Sequence, residues 1–379
     1  MLSSPARRRR LRIAIVGAGI AGLTAALCFA KRGSDVAIME AANELRPIGA
    51  GIQVPPNAWR IVHALGLERE LNAAASAPRS IDVSDGLTGQ RLTSLPLGPG
   101  FERRLGAPYL VVHRGDLQRL LLEAVTRESS ITLRPGEPVD DPSAIDADLV
   151  VGADGVRSNL RRAVRGPEAR AAESGFVAWR AVLDRASLPM IDNARTGLWL
   201  GPEAHLVHYP VRSGRSVNVV VIGRANAAGP EAVLRGWCAT AQAISASATD
   251  WGSWPIASVS PSAAWRRGRV VLVGDAAHAM WPYAAQGGAM AMEDAWTLAS
   301  AVAAGHGLDI WESLRKRRVS RVAATAARNR FIYHASGPLR LARNAVMRSL
   351  PPHILAVPME AIYTWRPPEV DASVSGGSG

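Results

Sequence analysis

The stretch "RIAIVGAGIAGLTAALCFAKRGSDVAIME" constrains the fold more than any other part of the chain. Arg12–Val16 reads as a strand, and Gly17, Gly19 and Gly22 follow it. A helix is expected over Ile20–Lys31, then a second strand over Asp35–Met39 that ends at Glu40. That order begins a parallel βαβ unit. Gly17 permits the tight turn, Gly19 lets a pyrophosphate approach the backbone, and Gly22 permits close helix–strand packing. The helix N-terminus offers free N–H groups and partial positive charge. Glu40 lies 18 residues after Gly22, where a carboxylate can bind ribose hydroxyls. A glycine motif alone is a weak signal. With strand, helix and acid in register it predicts a dinucleotide site, without choosing between NAD and FAD.

The same logic recurs twice. "ADLVVGADGVRSNLRR" is a short apolar strand (Leu149–Gly152) followed by Asp154-Gly155. "VVLVGDAAHAMWPYAAQGGAMAMEDA" is another, followed by Gly274-Asp275. A carboxylate at the end of a buried strand needs a partner, yet no Lys or Arg lies between Val270 and Ala295. A simple NAD dehydrogenase does not need three such sites. A longer dinucleotide with a ribityl chain does.

These residues together resemble the single-component FAD-dependent aromatic hydroxylases, over nearly the whole chain and in order. The resemblance rests on Gly17/Gly19/Gly22 with Glu40, on Asp154-Gly155 with Arg157, Ser158 and Arg161, and on Gly274-Asp275-Ala276-Ala277-His278 with Pro282. "GAGIQVPPNA" (49–58) and "HRGDLQRLL" (113–121) are similar to the branch of salicylate hydroxylase, 3-hydroxybenzoate 6-hydroxylase and 6-hydroxynicotinate 3-monooxygenase. The loop after Pro282 reads Ala-Ala-Gln286-Gly287-Gly288 and departs from the GxGxN pattern of the p-hydroxybenzoate hydroxylase branch.

The resemblance implies non-covalent FAD, NADH or NADPH as co-substrate, and O₂. It implies hydroxylation of a small phenolic or hydroxypyridine acid through a flavin C4a-hydroperoxide. Asp275 is then expected to accept a bond from a ribityl hydroxyl, which gives it the cofactor as partner. Arg114 is expected beside the ribityl-pyrophosphate region. Gly287 and Gly288 would let the next helix aim its N-terminus at the flavin pyrimidine edge. Glu293 and Asp294 are expected to be helix-dipole and packing residues, and His278 structural. A flavin oxidoreductase or epoxidase on the same scaffold, without ring hydroxylation, is the alternative.

Near Glu173 the pattern changes. "GFVAWRAVL", "GLWLGPEAHLVHYPV" and "SVNVVVIG" read as strands joined by turns. The expected fold is therefore α/β. A Rossmann-like FAD-binding domain (1–172 and 265–310) carries an inserted antiparallel-sheet substrate domain (173–264), and a C-terminal helical region with a flexible tail covers 311–379. In "HLVHYP" strand alternation puts His205, Val207 and Tyr209 on one face and His208 on the other. His205 and Tyr209 are expected to reach one substrate hydroxyl, and they match the His-x-x-x-Tyr pair of the resembled branch, which polarises or deprotonates the phenol. Trp199 and Trp281 are candidate pocket walls. Gly49–Pro56 reads as a loop, a helix is expected to break at Gly337-Pro338, and Pro351-Pro352 and Pro367-Pro368 mark a loose end.

Composition narrows the rest. The net charge is +12, and all but two of the 44 cationic side chains are Arg. They are scattered apart from Arg7–Arg10 and the 315–321 stretch, with no aromatic interleaving, so a nucleic-acid partner is not expected. A basic surface favours anionic ligands. Cys28 and Cys238 form no CxxC or CxxxxC pair, which fits a reducing cytoplasm and argues against a metal ribbon or a disulfide reductase. The basic start and apolar run mimic an export signal, but glycines at a functional spacing break the run. No other apolar stretch reaches the roughly 18–20 residues a membrane span needs. A monomer or homodimer is expected.

Overall fold

The computed structural model describes residues 9–45 and 49–368. Arg7, Arg8 and the "SVSGGSG" tail lie outside the described residues. The first layer is a six-stranded sheet in the order β14 (Arg266–Arg267), β15 (Val270–Leu272), β8 (Leu149–Gly152), β1 (Arg12–Val16), β2 (Asp35–Glu40), β7 (Ile131–Pro135). All neighbours are parallel except β14 against β15. The short runs IAIV, LVVG and VVL are apolar throughout because helices cover both faces of such a sheet.

Register decides where the motifs go. Val16 pairs with Met39 and with Gly152, and Gly152 pairs with Leu272. The residues at or just after the strand ends, Gly17, Glu40, Asp154 and Asp275, therefore emerge along one carboxyl edge. In open α/β sheets that edge is where ligands bind. The Ile20–Ala30 helix packs directly over the turn, since a Cβ on Gly22 would lie 1.9 Å from the Gly17 carbonyl oxygen.

The second layer is a seven-stranded sheet in the order β13 (Gly252–Ser258), β9 (Ala172–Asp184), β12 (Ser216–Arg224), β11 (Ala204–Val211), β10 (Thr196–Gly201), β4 (Ser80–Asp85), β5 (Arg91–Pro96). It departs from the expected insertion in two ways. The β4–β5 hairpin comes from within the 1–172 segment, and β4 pairs with β10 in parallel. "SIDVSD" is short and polar, and only its long-range partner makes it a strand. The expected loop at Gly49–Pro56 likewise contains β3 (Gly51–Val54), paired antiparallel with β6 (Leu110–His113).

Helices Leu308–Tyr333, Gly337–Ser349 and Pro352–Tyr363 close the chain. The expected break at Gly337-Pro338 falls just earlier, because proline is tolerated in a first helical turn. The expected loose end at Pro351-Pro352 is instead the start of a helix, for the same reason. Asp85, fully buried at the hairpin tip, clamps the second of these helices. It accepts from Arg340 (2.7 Å to each oxygen) and from Asn344 at 2.6 Å. No helix among the described residues is long and apolar enough to cross a membrane.

Candidate active site

The carboxyl edge of the parallel sheet opens into a cleft of about 450 Å³. Gly17, Gly19, Glu40, Arg114 and Asp154 all line it, with Gln118, Gly155 and Arg157. Gly22 does not, because its part is packing behind the turn. The N-terminus of the Ile20–Ala30 helix faces the cleft with no side-chain cap and no acid in its first turn. Glu40 accepts from the Ala18 N–H at 2.7 Å and the Ala42 N–H at 2.9 Å, which fixes its carboxylate at the rim. Asp154 accepts from the Leu160 N–H at 3.1 Å through one oxygen, while its other oxygen is buried without a partner. Arg114 begins the Arg114–Arg127 helix and is anchored by its own N–H on the Ala50 carbonyl at 2.8 Å.

Asp275 differs from the expectation of a buried carboxylate. Its side chain is exposed. Gly274, at φ +58°, turns the chain so that Asp275 leaves the core. The acid that is buried is Asp294, which accepts from the Gly274 N–H at 2.9 Å, from His278, and from Arg315 at 2.8 Å. The cation missing between Val270 and Ala295 thus arrives from another helix. Arg161, 1% exposed, ties the Asp154 and Asp275 loops together by donating to the carbonyls of Val156 and Ala276.

Gly287 and Gly288 open the Gly287–Ala303 helix beside Asp275. A Cβ on Gly287 would lie 3.9 Å from Asp275 Oδ1, and one on Gly288 would lie 2.8 Å from the Ile52 side chain. Glu293 and Asp294 prove to be more than dipole and packing residues. Arg315 donates to Glu293 at 2.7 Å, Arg318 at 2.9 Å, and Asn57 at 2.8 Å. Asn57 also donates to Gln286, the residue that precedes the helix. This buried network holds the loop rigidly.

The second sheet presents His205, Val207 and Tyr209 on its inner face, as alternation requires. However, four residues at ~3.3 Å each separate His205 from Tyr209 by about 13 Å along the strand. The two do not converge on one point. Tyr209 packs against Gly51, whose N–H donates to Asn218 on the neighbouring strand at 2.6 Å. His205 sits further along, its Nδ1 3.0 Å from His334 Nε2 and its ring 5.1 Å from that of Tyr283 and 5.5 Å from that of Tyr333. Burial pushes the His205 pKa well below the usual histidine value, and that of His334 down to about 4. Burial also raises the Tyr209 phenol. Trp199 lies on the opposite face with His208, while Trp281 lies under Arg330, 4.6 Å from its guanidinium.

Sequence reasoning missed Arg180, Asn218, Gln286 and His334. Arg180 stood out as one cation inside the apolar strand "FVAWRAVL", and its position opposite Val220 puts it on the same inner face. The other three carried no local signal, since distant elements assemble their surroundings.

Comparison with known proteins bears directly on this geometry. The FAD binding domain family matches residues 123–325, and a second family of that description matches 12–48. The chain is 32% identical to 3-hydroxybenzoate 6-hydroxylase of Polaromonas naphthalenivorans, over 94% of this chain and 96% of that protein. It is 36% identical to 3-amino-4-hydroxybenzoate 2-monooxygenase of Streptomyces cremeus, over 90% of this chain and 92% of that protein. The fold is similar to that of HpxO of Klebsiella pneumoniae complexed with FAD and uric acid, with TM-score 0.81 and 25% identity, over 93% of this chain and 96% of that one. The chain belongs to the FAD-dependent aromatic hydroxylases.

The hydroxylase is thus a flavoprotein monooxygenase, and its cofactor is FAD. The cleft residues fit that group. The unpartnered Asp154 oxygen asks for a donor, the uncapped helix N-terminus asks for an anion, and a Cβ on Gly19 would meet nothing within 4 Å.

Proposed function

We propose that this hydroxylase uses NADH or NADPH and O₂ to place a hydroxyl group on a small aromatic acid bearing a phenol or hydroxypyridine. The observation that carries the reading is the convergence of Gly17, Gly19, Glu40, Arg114 and Asp154 on one cleft. The inner face of the second sheet supplies the remaining polar groups. FAD, when bound, supplies the redox chemistry with NAD(P)H and O₂. Gly17, Gly19 and the helix N-terminus would hold its pyrophosphate, Glu40 its ribose, and Arg114, Asp154 and Asp275 its linking chain. The Gly287–Ala303 helix would direct its N–H groups at the flavin ring and favour negative charge there.

The substrate lies, on this reading, between the ring system and the sheet. Tyr209 is the member of the His205/Tyr209 pair that neighbours β3 and Arg180, and its raised pKa keeps it a donor at neutral pH. It would orient the substrate hydroxyl. Burial keeps His205 neutral and makes it a weak base, so it would take the substrate proton only in passing, with His334 as the next acceptor in line. The test is oxygen uptake and NAD(P)H oxidation by the FAD-loaded protein with 3-hydroxybenzoate, 3-amino-4-hydroxybenzoate and 6-hydroxynicotinate, with product mass. Stimulated oxidation with one added oxygen atom is expected. Stimulation without incorporation, or none across a broad panel of hydroxylated aromatic acids, would overturn the reading.

A further inference from the structure

Each of the four buried arginines among the described residues donates guanidinium hydrogen bonds to the fold, although the Nε of Arg60 has no partner. Arg60 donates to the carbonyls of Tyr363 and Trp365, Arg161 to loop carbonyls, Arg315 to Glu293 and Asp294, and Arg343 to Asn344. Arg180 is different. It is half-buried, its Nε is buried with no hydrogen-bond partner, and its guanidinium donates to no described residue. Its one ring neighbour is Trp254, 5.7 Å from the centroid. An inward-pointing, half-buried guanidinium that donates nothing to the fold is placed to receive an anion.

The neighbourhood says what that use is. Arg180 lies within electrostatic reach of Tyr209, Arg114 and Asp275, which places it where the second sheet meets the cofactor edge. On the adjacent strand, Asn218 faces the same side, and its Nδ2 is likewise buried without an acceptor. Asn218 stands directly across from Tyr209. Two donors lacking acceptors and a phenol O–H therefore share one face, with Asn218 across from Tyr209 and diagonal to Arg180. A ligand that satisfies them must present acceptors only and carry negative charge. A planar carboxylate meets that description, and the fork of a guanidinium matches it in two parallel bonds.

We propose that Arg180, assisted by Asn218, receives the carboxylate of the substrate and so sets the enzyme's preference for aromatic acids. This rests on the function proposed above and names the group that selects within it. Tyr209 is then left to the ring hydroxyl.

The experiment uses the FAD-loaded enzyme, with Arg180→Gln and Arg180→Lys as variants. Binding is read by flavin fluorescence titration with 3-hydroxybenzoate, 3-amino-4-hydroxybenzoate, 6-hydroxynicotinate and their carboxamides. Wild type should bind an acid of this panel about 100-fold more tightly than its amide, the scale on which losing a buried charge partner acts. Arg180→Gln should lose that preference by weakening the acid alone, and Arg180→Lys should keep part of it. FAD content and midpoint of thermal unfolding should not fall in Arg180→Gln, because Arg180 donates no hydrogen bond within the fold. An Arg180→Gln enzyme that still prefers the acid overturns the assignment and leaves the proposed function standing. Loss of FAD from that variant also overturns it, by making Arg180 a cofactor residue. If wild type binds no acid or amide, the proposed function itself falls, and this assignment with it.

Discussion

Replacing Arg315 with Met tests the claim that the Gly287–Ala303 helix is held by buried charge. Arg315 is 3% exposed and bridges two fully buried carboxylates, Glu293 at 2.7 Å and Asp294 at 2.8 Å. Methionine fills similar space and leaves the acids without that cation. Removing one member of a buried pair costs about 3–5 kcal/mol. Glu293 retains Arg318 and Asp294 retains His278, so the lower end, about 3 kcal/mol, is expected. That is over ~100-fold in the unfolding equilibrium. The pH dependence has a definite sign. Although burial alone raises the Asp294 pKa, His278 and Arg315 hold it below the ordinary value in the folded protein. Its contribution is present above the unfolded pKa of about 3.9 and is lost as pH falls through the lower folded value. The gap between wild type and Arg315→Met is therefore widest near neutrality and narrows as the solution is acidified into the carboxylate range. Urea unfolding of both proteins at a series of pH values measures it. A deficit below ~1 kcal/mol at pH 7, or one that does not change with pH, would refute the reasoning.

Three further outcomes follow from the geometry. Gly19→Val projects into the cleft and should lower FAD occupancy while the apoprotein unfolds at the wild-type temperature, whereas Gly22→Ala collides with the Gly17 carbonyl and should destabilise the fold itself; absorbance at flavin wavelengths and thermal scans separate the two. Arg114→Ala and Asp275→Ala should each weaken FAD binding with an unchanged circular dichroism spectrum, and unaltered FAD affinity in both would remove them from the site. His205→Ala should slow hydroxylation about 10²–10⁴-fold while NAD(P)H oxidation falls less, so that hydrogen peroxide accumulates; Tyr209→Phe should uncouple more mildly, and tight coupling in both variants would exclude this strand face from substrate contact.

The parallel half of the molecule was legible in the sequence because its signals are local. A strand, a glycine turn and a helix lie within thirty-odd residues of one another, and each motif sits directly at the end of its own strand. That Gly17, Glu40, Asp154 and Asp275 share one edge follows from parallel pairing, which apolar runs announce. The strand alternation of "HLVHYP" likewise assigned His205, Tyr209 and His208 to their faces. Tertiary structure decided the rest, because those features depend on partners far away in the chain. The β4–β5 hairpin is polar and becomes part of the second sheet only through β10 and the Asp85 clamp to the Gly337–Ser349 helix. Whether Asp275 or Asp294 is buried depends on the backbone at Gly274 and on a cation 21 residues beyond Asp294. The separation of His205 from Tyr209 follows from strand rise, but their surroundings, a histidine–tyrosine cluster for one and β3 for the other, depend on which elements pack over the sheet. Burial belongs to the assembled molecule, and the half-burial of Arg180 on the inner face of the second sheet is set by the strands beside it.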